Sequence, residues 1–283
     1  MKRLLMGLFC VFLSGVALAA GPKDVRQRVQ GSMLVTGSIV VAPDGTVRSY
    51  TIDHAEKLLP PVLGLIDKCT KSWIFEPNFD GQSVDAKANM SLRIVAKPDG
   101  EHDYAISVAG AQFGQDDAKP GESLSYYDQH PIPRYPASAV SAGVWGTVYL
   151  RLLVDRQGRV ENAVAEQVNL GVVASDEELD KWRNVLATAA LVAVKGWTFN
   201  IPTSGKDASQ DHWDARVPVS FGLEGLTPHV KYGKWEAYVP GPEQPVPWQE
   251  KVGRSSGSAD AIADGGLYQV GSGLHLITPL NGA

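Results

Sequence analysis

One unusual pattern is written twice in this chain. Lys71-x-Trp73-x-Phe75 is followed by Pro77, and Lys195-x-Trp197-x-Phe199 is followed by Pro202. Tryptophan is scarce, with seven among 283 residues, so the echo raises the question of a larger repeated unit. The upstream stretches bear on it. Residues 33–47 set against residues 146–160: Val35, Ile39 and Val41 fall opposite Val148, Leu152 and Val154, and Gly45 falls opposite Gly158. Both stretches alternate apolar with other residues, which is strand periodicity. Each reaches a turn, Pro43-Asp44-Gly45 or Arg156-Gln157-Gly158, where glycine tolerates the positive φ a hairpin demands. Return strands are expected at 46–52 and 159–168.

A helix is expected after each hairpin. In the second copy Ser175-x-x-Glu178 is a capping box ahead of an apolar face made by Leu179, Trp182, Leu186, Ala189, Ala190 and Ala193. Lys195 and Gly196 close that helix as a cation and a glycine should. In the first copy Pro60 and Pro61 suit a first turn, where a missing N–H costs little. Val62, Ile66, Cys69 and Trp73 then share one face, with Cys69 as a small core residue. A last strand ends each copy: Ala88, Met90, Leu92 and Ile94 alternate in one, and Ala215, Val217, Val219 and Phe221 in the other. The Trp-x-Phe pairs, Trp73 with Phe75 and Trp197 with Phe199, are expected to plug each helix against its sheet in a structural role.

The expected fold is therefore α+β: two small modules in tandem, each a short antiparallel sheet with a helix on one face. The expected divisions are a signal peptide at 1–19, a first module at 30–98, a linker at 99–130, a second module at 131–224, and an extended Gly/Pro-rich arm at 225–283. In the arm, Trp235, Tyr238 and Trp248 are expected to pack back onto a module.

At residues 131–168 the sequence resembles the C-terminal domain of TonB-type energy transducers. The matching elements are Tyr135-Pro136, Gly146-x-Val148, Gly158, the helix from Ser175 to Lys195, and Trp197-x-Phe199. The resemblance extends over about 131–223; the first copy is a divergent match without a Tyr-Pro helix. It implies a periplasmic protein that takes an extended protein segment, such as one from an outer-membrane transporter, onto a sheet edge. The implied partner-binding residues are Tyr135 and Pro136 with the terminal strand, Arg216, Val217, Pro218, Val219, Ser220 and Phe221. Pro218 has no N–H for a ladder, which itself points to an edge. The corresponding strand of the first copy, 89–95, is the other candidate acceptor. Two departures from the family argue against direct coupling to an inner-membrane motor: no long Pro-rich spacer is present, and the first segment reads as cleaved.

That first segment has two early cations, an apolar run, and Ala17-Leu18-Ala19, the pattern of a secretory signal. Cleavage after Ala19 removes Lys2 and Arg3 and takes the net charge from −5 to −7. An acidic chain without a basic run makes a poor nucleic-acid binder. Cys69 would then be the one remaining cysteine, so the fold must stand on its core. No catalytic residue, metal site or cofactor is expected. Residues 253–257 fit G-x-S-x-G but lie in a polar Gly/Ser stretch rather than between a strand and a helix. The six histidines show no metal-ligand spacing; His212 and Asp214 flank Trp213 in what reads as a loop. Two other readings stay open: a periplasmic hydrolase on this scaffold, and a structural protein that binds cell wall.

Overall fold

The computed structural model describes residues 29–77, 84–99, 103–115, 120–127, 130–222, 231–249 and 258–281. The expected signal peptide and the G-x-S-x-G stretch lie outside the described residues. The first sheet is built from β1 (Gln30–Val41), β2 (Val47–Ile52), β3 (Ala86–Pro98) and β4 (Tyr104–Gln115), with a helix, α1 (Pro60–Thr70), between β2 and β3. The second contains β6 (Gly146–Asp155), β7 (Val160–Leu170) and β9 (His212–Phe221), with α3 (Asp176–Val194) between β7 and β9. Before β6 come the short β5 (Ser125–Tyr126) and α2 (Ala137–Ser141); β8 (Phe199–Asn200) follows α3. The C-terminal residues add β10 (Glu236–Tyr238) and β11 (Tyr268–Gln269). This is the expected α+β class, with antiparallel sheets and few helices.

The sheet orders are β10-β1-β3-β4, with β2 also on β1, and β11-β9-β6-β7; β5 and β8 form a third, two-stranded sheet. The segment expected as a linker is corrected here. Its residues 104–115 are β4, which pairs with β3 along almost its whole length. Pro98-Asp99-Gly100 repeats the turn signal of residues 43–45, but the strand after it carries small residues and two glycines, and its alternation is interrupted by a register shift opposite Arg93 and Ile94. β3 consequently lies between β1 and β4 and presents no free edge, so its residues 89–95 cannot accept a further strand.

Both helices form for the expected local reasons. Pro60 and Pro61 occupy the first turn of α1. Val62, Ile66, Cys69 and Trp73 are buried together in the first core, and burial pushes the Cys69 thiol up. Ser175 caps α3, accepting from the Glu178 N–H while Glu178 accepts from the Ser175 N–H. The buried face of α3 is Leu179, Leu186, Ala190 and Val194. Val194 thus takes the place expected of Ala193, four residues on from Ala190.

The repeated Trp-x-Phe has a specific seat. The Phe75 N–H donates to the Gly45 carbonyl at 2.8 Å, and the Phe199 N–H to the Gly158 carbonyl at 2.8 Å. Gly45 and Gly158 hold φ of 87° and 73°. A Cβ on either would lie 2.2 Å or 2.1 Å from the phenylalanine carbonyl oxygen, so only glycine lets the two backbones close. Each tryptophan is buried and its indole N–H donates to a main-chain carbonyl, Leu280 for Trp73 and Pro131 for Trp197.

The faces turned away from the helices meet each other. Arg93 of β3 donates through Nη2 to the Tyr149 hydroxyl of β6 at 3.1 Å. The C-terminal residues thread through this seam, where the Asp260 carbonyl accepts from Arg93 Nε and Nη2 at 2.9 and 2.7 Å.

Candidate functional site

The terminal strand β9 was expected to be the partner-binding edge. Its inner side pairs with β6 without a break from His212 to Phe221. On its outer side, β11 pairs with only Ala215 and Arg216, and the Val270 N–H donates to the Asp214 carbonyl at 2.7 Å. In an antiparallel strand the N–H and C=O of one residue point the same way and alternate along the chain. Asp214 faces outward, so Arg216, Pro218 and Ser220 do as well. The missing N–H of Pro218 is therefore on the outer edge. Beyond Arg216 an added strand finds the Pro218 carbonyl and both main-chain groups of Ser220.

The predicted side chains divide sharply. Val217, Val219 and Phe221 point into the second core and are nearly fully buried. Ser220 is exposed; its hydroxyl donates to Asp264 at 2.7 Å and lies 3.0 Å from the Thr147 hydroxyl. Tyr135 and Pro136 reach the same end of the strand. Pro136 caps α2, the Tyr135 hydroxyl donates to the Val144 carbonyl at 2.5 Å, and the Tyr135 ring meets Phe221 edge-on at 5.5 Å. This fixes the entry of the chain into β6 beside the end of β9.

Arg216 belongs to a different feature. It is 3% exposed and donates to Glu166 through Nε at 2.7 Å and Nη2 at 2.6 Å. Arg151 bonds Asp214 in the same way and reaches Glu166 at 3.3 Å. These four charges line the seam face of the second sheet. Asp214 was expected in a loop, but it lies in β9, with Trp213 in the core and His212 2.8 Å from Glu161.

Further along the seam, Arg93 also bonds Ser32 at 2.8 Å and Glu236 at 3.4 Å. Tyr238 donates to the Asp260 carboxylate, which also accepts from Asn169 at 3.0 Å. Burial raises the Tyr149 and Tyr238 hydroxyls well above the phenol range. Burial likewise raises the Glu236 carboxyl, against the pull of Arg93. The sequence signal for this seam was one arginine inside each of three apolar strands, at 93, 151 and 216. Its partners come from other strands and from the C-terminal residues, so spacing does not expose them. Ionisable groups this fully matched to one another form a structural network.

Among the described residues, no group of three or more His, Cys, Asp and Glu could hold a metal ion, and no helix is long and apolar enough to cross a membrane.

No family model matches the chain, and no solved structure matches it. Part of it is similar to TonB proteins. It is 34% identical over 97 residues to "Protein tonB2" of Pseudomonas aeruginosa, a stretch covering 34% of this chain and 31% of that protein. It is 36% identical over 92 residues to "Protein TonB" of Xanthomonas campestris pv. campestris, covering 32% of this chain and 34% of that protein. The chain thus spans about a third of the length of the curated relatives it matches.

Proposed function

We propose that this is a periplasmic, non-enzymatic binding protein made of two TonB-type modules in tandem. Its second module takes an extended protein segment, of the kind a TonB-dependent outer-membrane transporter would offer, onto the outer edge of β9. The similarity to TonB proteins over a third of the chain supports the class. The observation that carries the site is a difference between the two sheets. The outer side of β3 is filled by β4, twelve residues long, whereas among the described residues the equivalent side of β9 holds the two residues of β11 and a single further bond from Val270. β4 shows what a full guest strand on such an edge looks like, and strand addition supplies affinity through main-chain bonds. Export by a cleaved signal is part of the same reading.

Ser220→Pro tests it. The Ser220 N–H faces away from β6, so the substitution removes a donor that no described residue takes up. With folding checked by circular dichroism, binding to a synthetic peptide from the periplasmic end of such a transporter should weaken about tenfold, the worth of one ladder bond. Equal binding by variant and wild type removes strand addition at β9.

A further inference from the structure

The Trp-x-Phe segment of each module is covered by an extended stretch running antiparallel to it, but the two covers come from different places. In the second module it is the residues just ahead of the module. Tyr126 pairs with Phe199, the Tyr127 N–H donates to Thr198, and Pro131 accepts from the Trp197 indole. In the first module it is the far end of the chain. Leu276 bridges to Phe75, the Ile277 N–H donates to the Ile74 carbonyl at 2.9 Å, and the Glu76 N–H to the His275 carbonyl at 2.7 Å. Leu280 then accepts from the Trp73 indole, four residues after the bridge.

The tail is therefore seated as a peptide ligand would be. Its other side clasps the outer edge of β4. The Leu274 N–H donates to the Phe113 carbonyl at 3.2 Å, and the Asn281 amide both donates to and accepts from the main chain of Val108. The Thr278 hydroxyl accepts from the Ile74 N–H at 3.0 Å. Gly271 and Gly273, both at positive φ, precede the tail, and Gly271 has open space around its Cα. The fit is incomplete. A cavity of about 370 Å³ remains between the tail, β4 and Ser258. Gln112, 4% exposed, lines it, and its Oε1 accepts no hydrogen bond from the described residues. Ile277 stays 65% exposed.

We propose that the slot between β4 and residues 74–76 is a second peptide-binding groove, held shut by the chain's own tail. Its partner is an extended protein segment of tail-like chemistry: apolar residues at the positions of Leu274, Leu276 and Leu280, a hydroxyl at Thr278, and an amide at Asn281. This groove is on the other module and uses other groups than β9, so it stands apart from the function proposed above.

The probe is a synthetic peptide of residues 274–281, and the readout is the Trp73 indole N–H resonance, which reports whether the Leu280 carbonyl is present. The full chain carrying Leu276→Asp should release its tail and shift that resonance. Added peptide should then restore it and bind saturably. A tethered tail competes at roughly millimolar effective concentration, so wild type should bind the same peptide about 100-fold more weakly. Asn281→Ala, which frees only the Val108 clasp, should give a smaller gain in peptide binding and serves where Leu276→Asp does not fold. An unmoved Trp73 resonance in both variants, or an opened chain that ignores the peptide at millimolar concentration, overturns the proposal.

Discussion

The two sheets follow one path and are finished differently. In each, a hairpin, a helix and a Trp-x-Phe lead into a strand that pairs back onto the first, β3 onto β1 and β9 onto β6. In each, a glycine at the hairpin tip receives the phenylalanine N–H. The finish differs at two places. β3 gains a full strand, β4, where β9 gains two residues. The Trp-x-Phe beside the second sheet is closed by the preceding residues 125–131, and that beside the first sheet by residues 275–280. What the path fixes is the core behind each helix; what it leaves open is the edge. Edges must be paired or guarded, and this chain guards most of them with its own C-terminal residues. β10 pairs with β1 at Gln30–Ser32, and Val239 and Gln244 bond β7 at Leu170 and Glu166.

The comparison can be broken most forcefully at the tryptophans. Trp73→Ala and Trp197→Ala should each cost about 4 kcal/mol by cavity formation, read from urea denaturation midpoints. Because the sheets share a buried polar seam, each variant should melt in one transition. Two separated transitions would show that the modules are energetically independent.

Next is the seam itself. Arg93→Met strips the Asp260 carbonyl, Ser32 and Tyr149 of a shared donor and should cost about 3 kcal/mol. The same loss should loosen the C-terminal residues, so proteolysis there should accelerate well before the cores unfold. A stability change of only a few tenths would place the docking energy elsewhere.

The hairpin glycines sharpen the likeness. Gly45→Ala and Gly158→Ala each put a methyl into a carbonyl oxygen at positive φ and should cost about 2 kcal/mol each. A twofold disparity would mean that the two seats are not equivalent despite matching distances.

The smallest effect is a pH dependence. Burial holds the Glu236 proton more tightly in the folded chain than in the unfolded one. Its contribution is therefore present below the ordinary carboxyl range and is lost as pH rises through the folded value. Glu236→Gln should flatten that fall, in urea midpoints taken from pH 4 to 7. An unchanged slope would exclude Glu236 as its source.

Local chemistry determined much of this molecule from the sequence alone. Gly45 and Gly158 mark hairpins because no other residue fits there. Ser175 and Glu178 start a helix because they satisfy each other's N–H groups. The strands β1, β6 and β9 announce themselves because one face must be apolar. Only the tertiary structure decided the rest. β4 follows a Pro-Asp-Gly turn signal, but a register shift and small residues on both faces interrupt its period, so the run does not read as one strand. Arg93, Arg151 and Arg216 look alike in sequence, yet each is matched by groups 15 to 167 positions away. The tail's place beside Trp73 depends on a contact spanning 207 positions. Main-chain bonds along a sheet edge carry no side-chain signature, so which segment fills an edge is settled by geometry rather than by composition.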